Sequence, residues 1–283
     1  MPSKYAFQKE NLRTMFERPW ELRLRPRQIF GNLYFVGNQD GASWLVKTGE
    51  GLVLFDTNYP TAAPLLLDSI WALGFDPRDI TAIFHTHGHF DHFGATELLR
   101  ALSGAKTYLG LGDCQMFRQR PELALLQCGE CAWQTLFTPD VEVADGAVFV
   151  FGDTRIRAAA CPGHSPGATS YFFNVTDGSR TFTAGLHGGA GLNTLCRDFR
   201  EAHQVDWRAD FLHSLDKAAE LPVDIFLGNH TPQNHYAEKA ARMDQGEDDA
   251  FIVPGEWKEF LRGVGQAVHK MTEEEAAEET GRG

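Results

Sequence analysis

Apolar runs separated by glycine-containing turns dominate the first part of the chain after its opening residues. The runs lie at 32–36, 43–47 and 52–55, and each has the length of a short strand. Consecutive short runs with turn residues between them are typical of a β-meander. The pattern therefore predicts three strands that pair in chain order.

The pattern then changes to an alternation of helices and strands. Leucine and isoleucine recur at helical spacing over 60–73. An apolar strand follows at 80–84, a helix at about 94–103 and another strand at 107–109. This order predicts a largely buried sheet with helices packed on it. Residues 112–140 have no clear period, which is typical of a lid or a substrate wall.

The second half of the chain again shows strands followed by helices. Its predicted strands are 141–143, 147–151, 154–160, 170–174, 180–183 and 223–227, and its predicted helices are 206–215, 235–244 and 255–270. Both halves have strands followed by helices, which favours an α+β fold: two sheets packed face to face with helices outside, a four-layer αββα sandwich. We expect one domain over 1–283, with 1–28 as a polar, irregular N-terminal arm.

Charge narrows the classes of partner. The 283 residues include 26 Lys and Arg against 38 Asp and Glu, a net charge of −12. An acidic surface argues against nucleic acids and anionic membranes as partners, and the glutamate-rich stretch 273–279 is interpreted as a solvated helix face or a frayed end. No apolar run approaches the roughly 20 residues of a membrane span. The first ten residues lack the apolar core of a signal peptide, so we expect a cytoplasmic protein, or a periplasmic or secreted one if a leader has been removed.

Five cysteines, an odd number, do not suggest a disulfide framework. Cys128 and Cys131 form an isolated C-x-x-C pair. A structural zinc site would need a second pair of ligands nearby, and none is evident in the sequence. Two ordinary thiols in a loop or short helix are therefore the favoured interpretation, and their role stays open.

The strongest chemical signal is the stretch Thr86-His87-Gly88-His89-Phe90-Asp91-His92, which we call the ligand loop. It lies between the strand at 80–84 and the following helix. Residues two apart in an extended loop point the same way, so His87 and His89 can meet one ion. Asp91 and His92 can face a second ion beside it. Imidazole and carboxylate ligands suit zinc best, with iron, manganese or cobalt as alternatives.

Three further residues are candidates, two of them because the ligand loop requires partners. His164 lies in the Pro/Gly-rich segment 162–167, which we call the elbow, and His230 follows the strand at 223–227. Either of them alone would more often be an ordinary histidine. Asp56 ends an apolar strand, where a carboxylate must be paired or must face a polar site.

These segments resemble the motifs of the metallo-β-lactamase superfamily. The ligand loop resembles its signature, the elbow its second motif, 229–232 its third, and 54–57 the strand end whose aspartate supports the metal loop. The likeness extends from about residue 28 to about residue 270. It implies an αββα sandwich with the site along one edge of the two sheets.

The resemblance also implies a binuclear zinc centre. The implied ligands are His87, His89 and His164 for the first ion and Asp91, His92 and His230 for the second. Gly185 stands where glyoxalase-type members carry a bridging aspartate and where two β-lactamase subclasses use a cysteine. The remaining ligand set is similar to that of the third subclass of metallo-β-lactamases.

The resemblance implies a hydrolase for a small-molecule carbonyl substrate. A hydroxide between two zinc ions would attack the carbonyl, since zinc lowers the pKa of bound water to about 7. Asp91 would orient the hydroxide and Asp56 would hydrogen-bond behind the ligand loop. We expect hydrolysis of a β-lactam amide; an ester, thioester or lactone is the alternative. A metal-dependent binding module is disfavoured by the intact ligand set.

Two departures weaken the β-lactam expectation. Family members of this subclass tend to hold the substrate carboxylate with serines around positions 185 and 187, where this chain has Gly185 and His187. His187 could donate to a carboxylate or could be an ordinary loop histidine. Most such β-lactamases also carry a secretion signal. The oligomeric state is left open.

Overall fold

Two β-sheets form the centre of the protein. The computed structural model describes residues 4–5, 9–126 and 135–280. The seven-stranded sheet contains, in spatial order, β1 (Arg27–Phe30), β2 (Leu33–Phe35), β3 (Trp44–Thr48), β4 (Gly51–Phe55), β5 (Ile80–Phe84), β6 (Lys106–Gly110) and β7 (Val141–Val143). The five-stranded sheet contains β12 (Ile225–Leu227), β11 (Thr181–Leu186), β10 (Thr169–Thr176), β9 (Thr154–Ala160) and β8 (Val148–Phe151).

Helices connect and flank the strands. The α-helices of the described residues are α1 (Lys9–Glu17), α2 (Ala63–Ala72), α3 (Thr96–Ser103), α4 (Leu111–Gln119), α5 (Arg197–His203), α6 (Arg208–Ala219), α7 (Tyr236–Asp244) and α8 (Glu256–Thr280). Short 3-10 helices span Pro19–Leu22, Pro60–Ala62, Pro77–Asp79, Pro121–Ala124 and Thr231–Asn234. Proline fixes φ near the helical value, which suits the first positions of such turns. Among the described helices, none has both the length and the apolar character needed to cross a membrane.

The order of strand directions explains where the site lies. Strands β1 to β4 are antiparallel, whereas β4, β5, β6 and β7 run parallel. Parallel neighbours end at the same edge of a sheet, and that edge is where α/β proteins usually hold their functional residues. Asp56 after β4 and the ligand loop after β5 therefore lie side by side, with 2.7 Å between Asp56 Oδ1 and the Thr86 amide nitrogen.

An aromatic core fills the space between the sheets. Strand alternation sends Val53 and Phe55 of β4 into this core. The rings of Phe55 and Phe173, from opposite sheets, stack with centroids 4.9 Å apart. Burying one such side chain stabilises the fold by about 1.5–3 kcal/mol, so this core holds the two sheets face to face.

The outer faces of both sheets are covered by helices. Leu52 and Leu54, the alternate residues of β4, pack with Leu66 of α2 and Leu99 of α3. The outer face of the second sheet packs against α6 and α8, where Trp257 lies 5.5 Å from Phe226 between ring centroids. The predicted fold class, a four-layer αββα sandwich, is confirmed.

The N-terminal arm differs from its prediction. Its described part contains α1 and the 3-10 helix Pro19–Leu22, and β1 begins at Arg27, so the expected irregular chain over 1–28 is wrong there. Leu12 and Met15 of α1 pack with Tyr59 and with Phe90 of the ligand loop. The two apolar residues are spaced as one helix face, but the run was too short to predict a helix.

Other boundaries follow the prediction closely. Strands β5, β7 and β9 coincide with it, whereas α5 was missed and α8 continues ten residues past the predicted end at 270, to Thr280. The described residues of 112–140 pack beneath the ligand loop, where Phe117 and Phe137 meet Phe93. Cys128 and Cys131 lie outside the described residues.

Candidate metal centre

Six side chains converge at the edge where the strands of both sheets end. Nitrogens of His87, His89 and His164 lie within 4.8 Å of one another, and so do ligand atoms of His87, Asp91 and His92. His230 joins them, with Nε2 3.6 Å from Asp91 Oδ2. The structure thus brings together all six residues that were predicted as ligands from the sequence.

One pair of nitrogens already has the spacing of shared ligands. His89 Nδ1 faces His164 Nε2 at 3.1 Å. Two nitrogens bound tetrahedrally to one zinc, each about 2.0–2.1 Å from it, lie roughly 3.3 Å apart. The ligand loop and the elbow are therefore positioned to share an ion.

Hydrogen bonds to the δ nitrogens orient four of the imidazoles. His92 Nδ1 donates to Asp56 Oδ2 at 2.8 Å, and His164 Nδ1 donates to the Gly191 carbonyl at 2.8 Å. His230 Nδ1 lies 3.2 Å from the Asp40 carbonyl oxygen. His87 Nδ1 lies 3.1 Å from the Thr86 hydroxyl. With the δ nitrogen engaged, each ring keeps its ε nitrogen as the free ligand atom.

Asp56 supports the ligand loop from behind. Its carboxylate accepts hydrogen bonds from the amide and the hydroxyl of Thr86, both at 2.7 Å, as well as from His92. The residue is buried and has φ of +55°, a left-handed conformation that costs energy for a residue with a side chain. The three hydrogen bonds offset that strain. His85, also behind the site, bonds the Tyr108 carbonyl and the Thr96 hydroxyl.

Buried atoms without partners show that the cluster suits a metal. Among the described residues, His87 Nε2, His92 Nε2 and Asp91 Oδ1 are buried and have no hydrogen-bond partner. A buried polar atom left without a partner costs free energy, and metal ions bound in the cluster would satisfy the two imidazole nitrogens. A donor set of imidazoles with a carboxylate matches zinc.

Protonation further distinguishes the two parts of the cluster. Burial lowers the pKa of His87 and His89 well below 6.5, and that of His164 to about 4. These rings are neutral at pH 7, so they can bind a cation without losing a proton. Burial also lowers the pKa of His92, but neighbouring carboxylates, with Asp91 first, outweigh it and raise that pKa to about 9. His92 must therefore release a proton when it binds a metal.

Asp113 is a further residue of the site that the sequence did not reveal. It is fully buried on α4 and accepts hydrogen bonds from the Gly88 amide, the Ser165 hydroxyl and the Gly167 amide, each at 2.7 Å. It therefore ties the ligand loop to the elbow. An aspartate in an otherwise apolar stretch after β6 was the available signal, but the sequence could not identify its partners.

A cleft of about 380 Å³ opens onto this cluster. His89, Asp91, His164 and His230 form part of its lining. The other lining residues are Lys4, Tyr5, Asn11, Asp40, 190–193, Asn229 and Pro232. Most residues of this lining are uncharged, and the cleft is the place where a substrate could reach the metal ligands.

Gly185 and His187 lie on the side of the second sheet that packs against α6 and α8. A Cβ atom at Gly185 would lie 2.5 Å from Val223 Cγ2 and 3.3 Å from Phe172 Cε1. A side chain at position 185 would therefore point away from the ligand cluster. His187, two residues on, points the same way: it is buried, its ring centroid lies 5.6 Å from that of Phe260 and 5.8 Å from that of Trp257, and it does not line the cleft.

Comparison with known sequences gives a consistent family. The sequence profile of the metallo-beta-lactamase superfamily matches residues 36–230. A hydroxyacylglutathione hydrolase of Gloeobacter violaceus is 33% identical over 202 residues, which is 65% of this chain and 66% of that protein. Another, of Anaeromyxobacter dehalogenans, is 30% identical over 157 residues, 53% of this chain and 51% of that protein. The chain thus matches about half to two thirds of the length of these relatives.

Solved structures with the same fold include subclass B3 and other metallo-β-lactamases. BJP-1, the subclass B3 enzyme of Bradyrhizobium japonicum, has a TM-score of 0.79 at 27% identity, over 92% of this chain and 98% of that chain. MEM-A1, a subclass B3 enzyme from a soil metagenome library, has a TM-score of 0.81 at 26% identity, over 92% and 99%. A metallo-β-lactamase of Cronobacter sakazakii has a TM-score of 0.81 at 26% identity, over 96% of both chains.

Proposed function

The chain belongs to the metallo-β-lactamase superfamily and is a metal-dependent hydrolase, and we propose that it cleaves a carbonyl substrate at a centre for two zinc ions. The observation that carries this proposal is that two sets of side chains converge beneath one cleft: the neutral histidines His87, His89 and His164, and Asp91 with His92 and His230. Zinc held there would lower the pKa of a bound water and polarise the carbonyl.

The side chains of the cluster would have different roles in metal binding and proton transfer. His87, His89 and His164 would hold the first ion, and Asp91, His92 and His230 the second. Asp91 Oδ2 lies 3.6 Å from both His92 Nε2 and His230 Nε2, while Oδ1 is left without a partner. That free oxygen can accept a proton from the attacking water and orient it, which is the role of a general base. Asp56 keeps His92 in the required tautomer.

A β-lactam amide is the first candidate substrate. The support is twofold: the ligand set contains no cysteine, as in the third subclass, and the structural neighbours named above are β-lactamases that match nearly their whole length. In such a reaction Asp91, His92 and His230 would hold an ion that could stabilise the charge developing on the leaving nitrogen.

The charge of the cleft favours a second candidate, an uncharged ester, thioester or lactone. Lys4 is the one lysine or arginine among the described lining residues, and its Nζ is already paired with Glu274 at 2.7 Å. The Asp40 carboxylate also faces the cleft, 3.9 Å from His230 Nδ1. A substrate carboxylate, which most β-lactams carry, would find no dedicated cationic partner there, since His187 is buried behind the site.

A screen of zinc-loaded protein tests the proposal. A chromogenic cephalosporin, an uncharged ester, a lactone and a thioester would be compared under identical conditions. We expect hydrolysis of at least one, lost on His89→Ala and on Asp91→Asn and retained on Asp216→Asn, an exposed aspartate of α6. Absence of hydrolysis with every substrate, with two zinc ions bound, would contradict the proposal and favour a metal-dependent binding module.

A further inference from the structure

The acidic end of α8 contacts one side of the cleft directly and the segment that follows its other side. The sequence alone suggested a solvated face or a frayed end for 273–279. Instead, the Glu275 side chain is only 15% exposed and the neighbouring Glu274 reaches the N-terminal residues. Two adjacent glutamates of one helix therefore contact different parts of the chain near the candidate metal centre.

Glu275 fixes the segment that leads into α5. Its Oε1 accepts a hydrogen bond from the Arg197 amide at 2.8 Å, and its Oε2 pairs with the Arg208 guanidinium. Arg208 Nε in turn donates to the Leu195 carbonyl at 2.8 Å. Since Leu195 and Cys196 are buried, this network fixes the C-terminal end of the segment 187–196, which we call the wall loop.

The wall loop in turn holds a candidate metal ligand. His164 Nδ1 donates to the Gly191 carbonyl at 2.8 Å, and the Thr194 hydroxyl donates to the His164 carbonyl at 2.8 Å. Residues 190–193 also line the cleft. The contacts therefore form a continuous path from Glu275 through the wall loop to the orientation of the His164 ring.

Glu274 contacts the N-terminal residues on the other side of the cleft. Its Oε2 accepts hydrogen bonds from Lys4 Nζ at 2.7 Å and from the Tyr5 hydroxyl at 3.2 Å. Lys4 and Tyr5 both line the cleft. A change at Glu274 should consequently affect access to the cleft through these two residues.

We propose that the end of α8 is a positioning element for the metal centre: Glu275 positions His164 through the wall loop, and Glu274 positions the N-terminal side of the cleft. The inference rests on the proposed function, because it takes His164 as a metal ligand. Hydrogen bonds behind a metal ligand typically change metal affinity 10- to 100-fold when removed. The path from Glu275 is longer, so we expect a loss near the lower end of that range.

The test uses Glu275→Ala, Glu275→Gln, Glu274→Gln and a control on the same helix, Glu259→Gln, whose side chain is 78% exposed. Zinc affinity is measured by chelator competition, the site by the absorption spectrum of the cobalt-loaded protein, and the wall loop by amide hydrogen exchange. We expect Glu275→Ala to weaken zinc binding about tenfold, to alter the cobalt spectrum and to speed exchange over 187–196. Glu275→Gln, which keeps an acceptor for the Arg197 amide, should recover most of the affinity.

The two glutamates should differ in steady-state kinetics. With a substrate from the screen, Glu275→Ala should lower kcat at limiting zinc, whereas Glu274→Gln should raise KM and leave zinc affinity at the wild-type value. Wild-type zinc affinity, spectrum and exchange in Glu275→Ala would overturn the proposal. Affinity and exchange need no substrate, so they decide the inference even if the screen finds no hydrolysis and the proposed function fails.

Discussion

Substituting Asp113 by asparagine should separate the stability of the fold from the geometry of the metal centre. The carboxylate accepts three hydrogen bonds, one at Oδ1 from the Gly167 amide and two at Oδ2 from the Gly88 amide and the Ser165 hydroxyl. Asparagine has nearly the same shape but only one acceptor oxygen. If that oxygen keeps the Gly88 and Ser165 bonds, the new amide group faces the Gly167 N–H, donor against donor.

The energies involved nearly cancel at neutral pH. Burial raises the pKa of Asp113 from 3.8 to about 6, so the ionised form costs about 3 kcal/mol relative to the unfolded chain at pH 7. Asparagine removes that cost, but an unpaired buried N–H costs about 1–3 kcal/mol. We therefore expect the free energy of unfolding of the metal-free variant to stay within about 2 kcal/mol of wild type. Zinc affinity should fall 10- to 100-fold, because the ligand loop and the elbow are no longer held together.

Chemical unfolding and chelator competition, both at pH 7.5, measure the two effects. The pH dependence gives a second check: because the folded pKa is raised, the stability linked to Asp113 is present below pH 4 and is lost as pH rises through about 6. The asparagine variant should lack this decline. Wild-type zinc affinity in the variant would refute the role of Asp113 as the connection between the two segments.

Three other predictions concern single residues. The pKa of His92 is about 9 without metal, so the second zinc should bind about tenfold more weakly for each pH unit below 9. Zinc titrations at several pH values from 6 to 8 measure this effect, and an affinity that does not change with pH would contradict it. Asp56→Ala removes three buried hydrogen bonds and should lower the free energy of unfolding by about 3 kcal/mol, measured by denaturant titration against Asp216→Asn. His187→Asn, which can keep an acceptor for the Gly189 amide, should leave KM within about twofold of wild type, because the ring packs against α8 outside the cleft; a large rise in KM would show that His187 binds substrate.

Local sequence determined much of the fold. Strands β5, β7 and β9 were predictable to the residue because alternating or continuous apolar runs, bounded by turn residues, have few other ways to bury their side chains. The same holds for the ligand loop, where the spacing of four potential ligands within six residues is a property of the chain itself. His164 and His230 were predictable because the ligand loop requires further ligands, and Asp56 because a carboxylate that closes an apolar strand must be paired or face a polar site.

The tertiary structure alone decided which distant groups support the site. Asp113 contacts Gly88 and Ser165, 25 and 52 residues away in the chain, and Glu275 contacts Arg197 and Arg208, 78 and 67 residues away. Such contacts depend on how the sheets and helices pack against one another, and no local periodicity encodes that.

The orientation of Gly185 and His187 was also decided by packing between distant elements. Residues two apart on β11 and its continuation share a face, and the sequence showed this pairing without showing which face it was. The packing of α8 on the second sheet turned that face toward Trp257 and Phe260 instead of the cleft. The sequence by itself therefore predicted the layers, from the hydrophobic pattern, and the candidate ligands, from the spacing in the ligand loop and from its resemblance to the superfamily motifs. The three-dimensional packing decided what surrounds the ligands, and with it the surface that a substrate would meet.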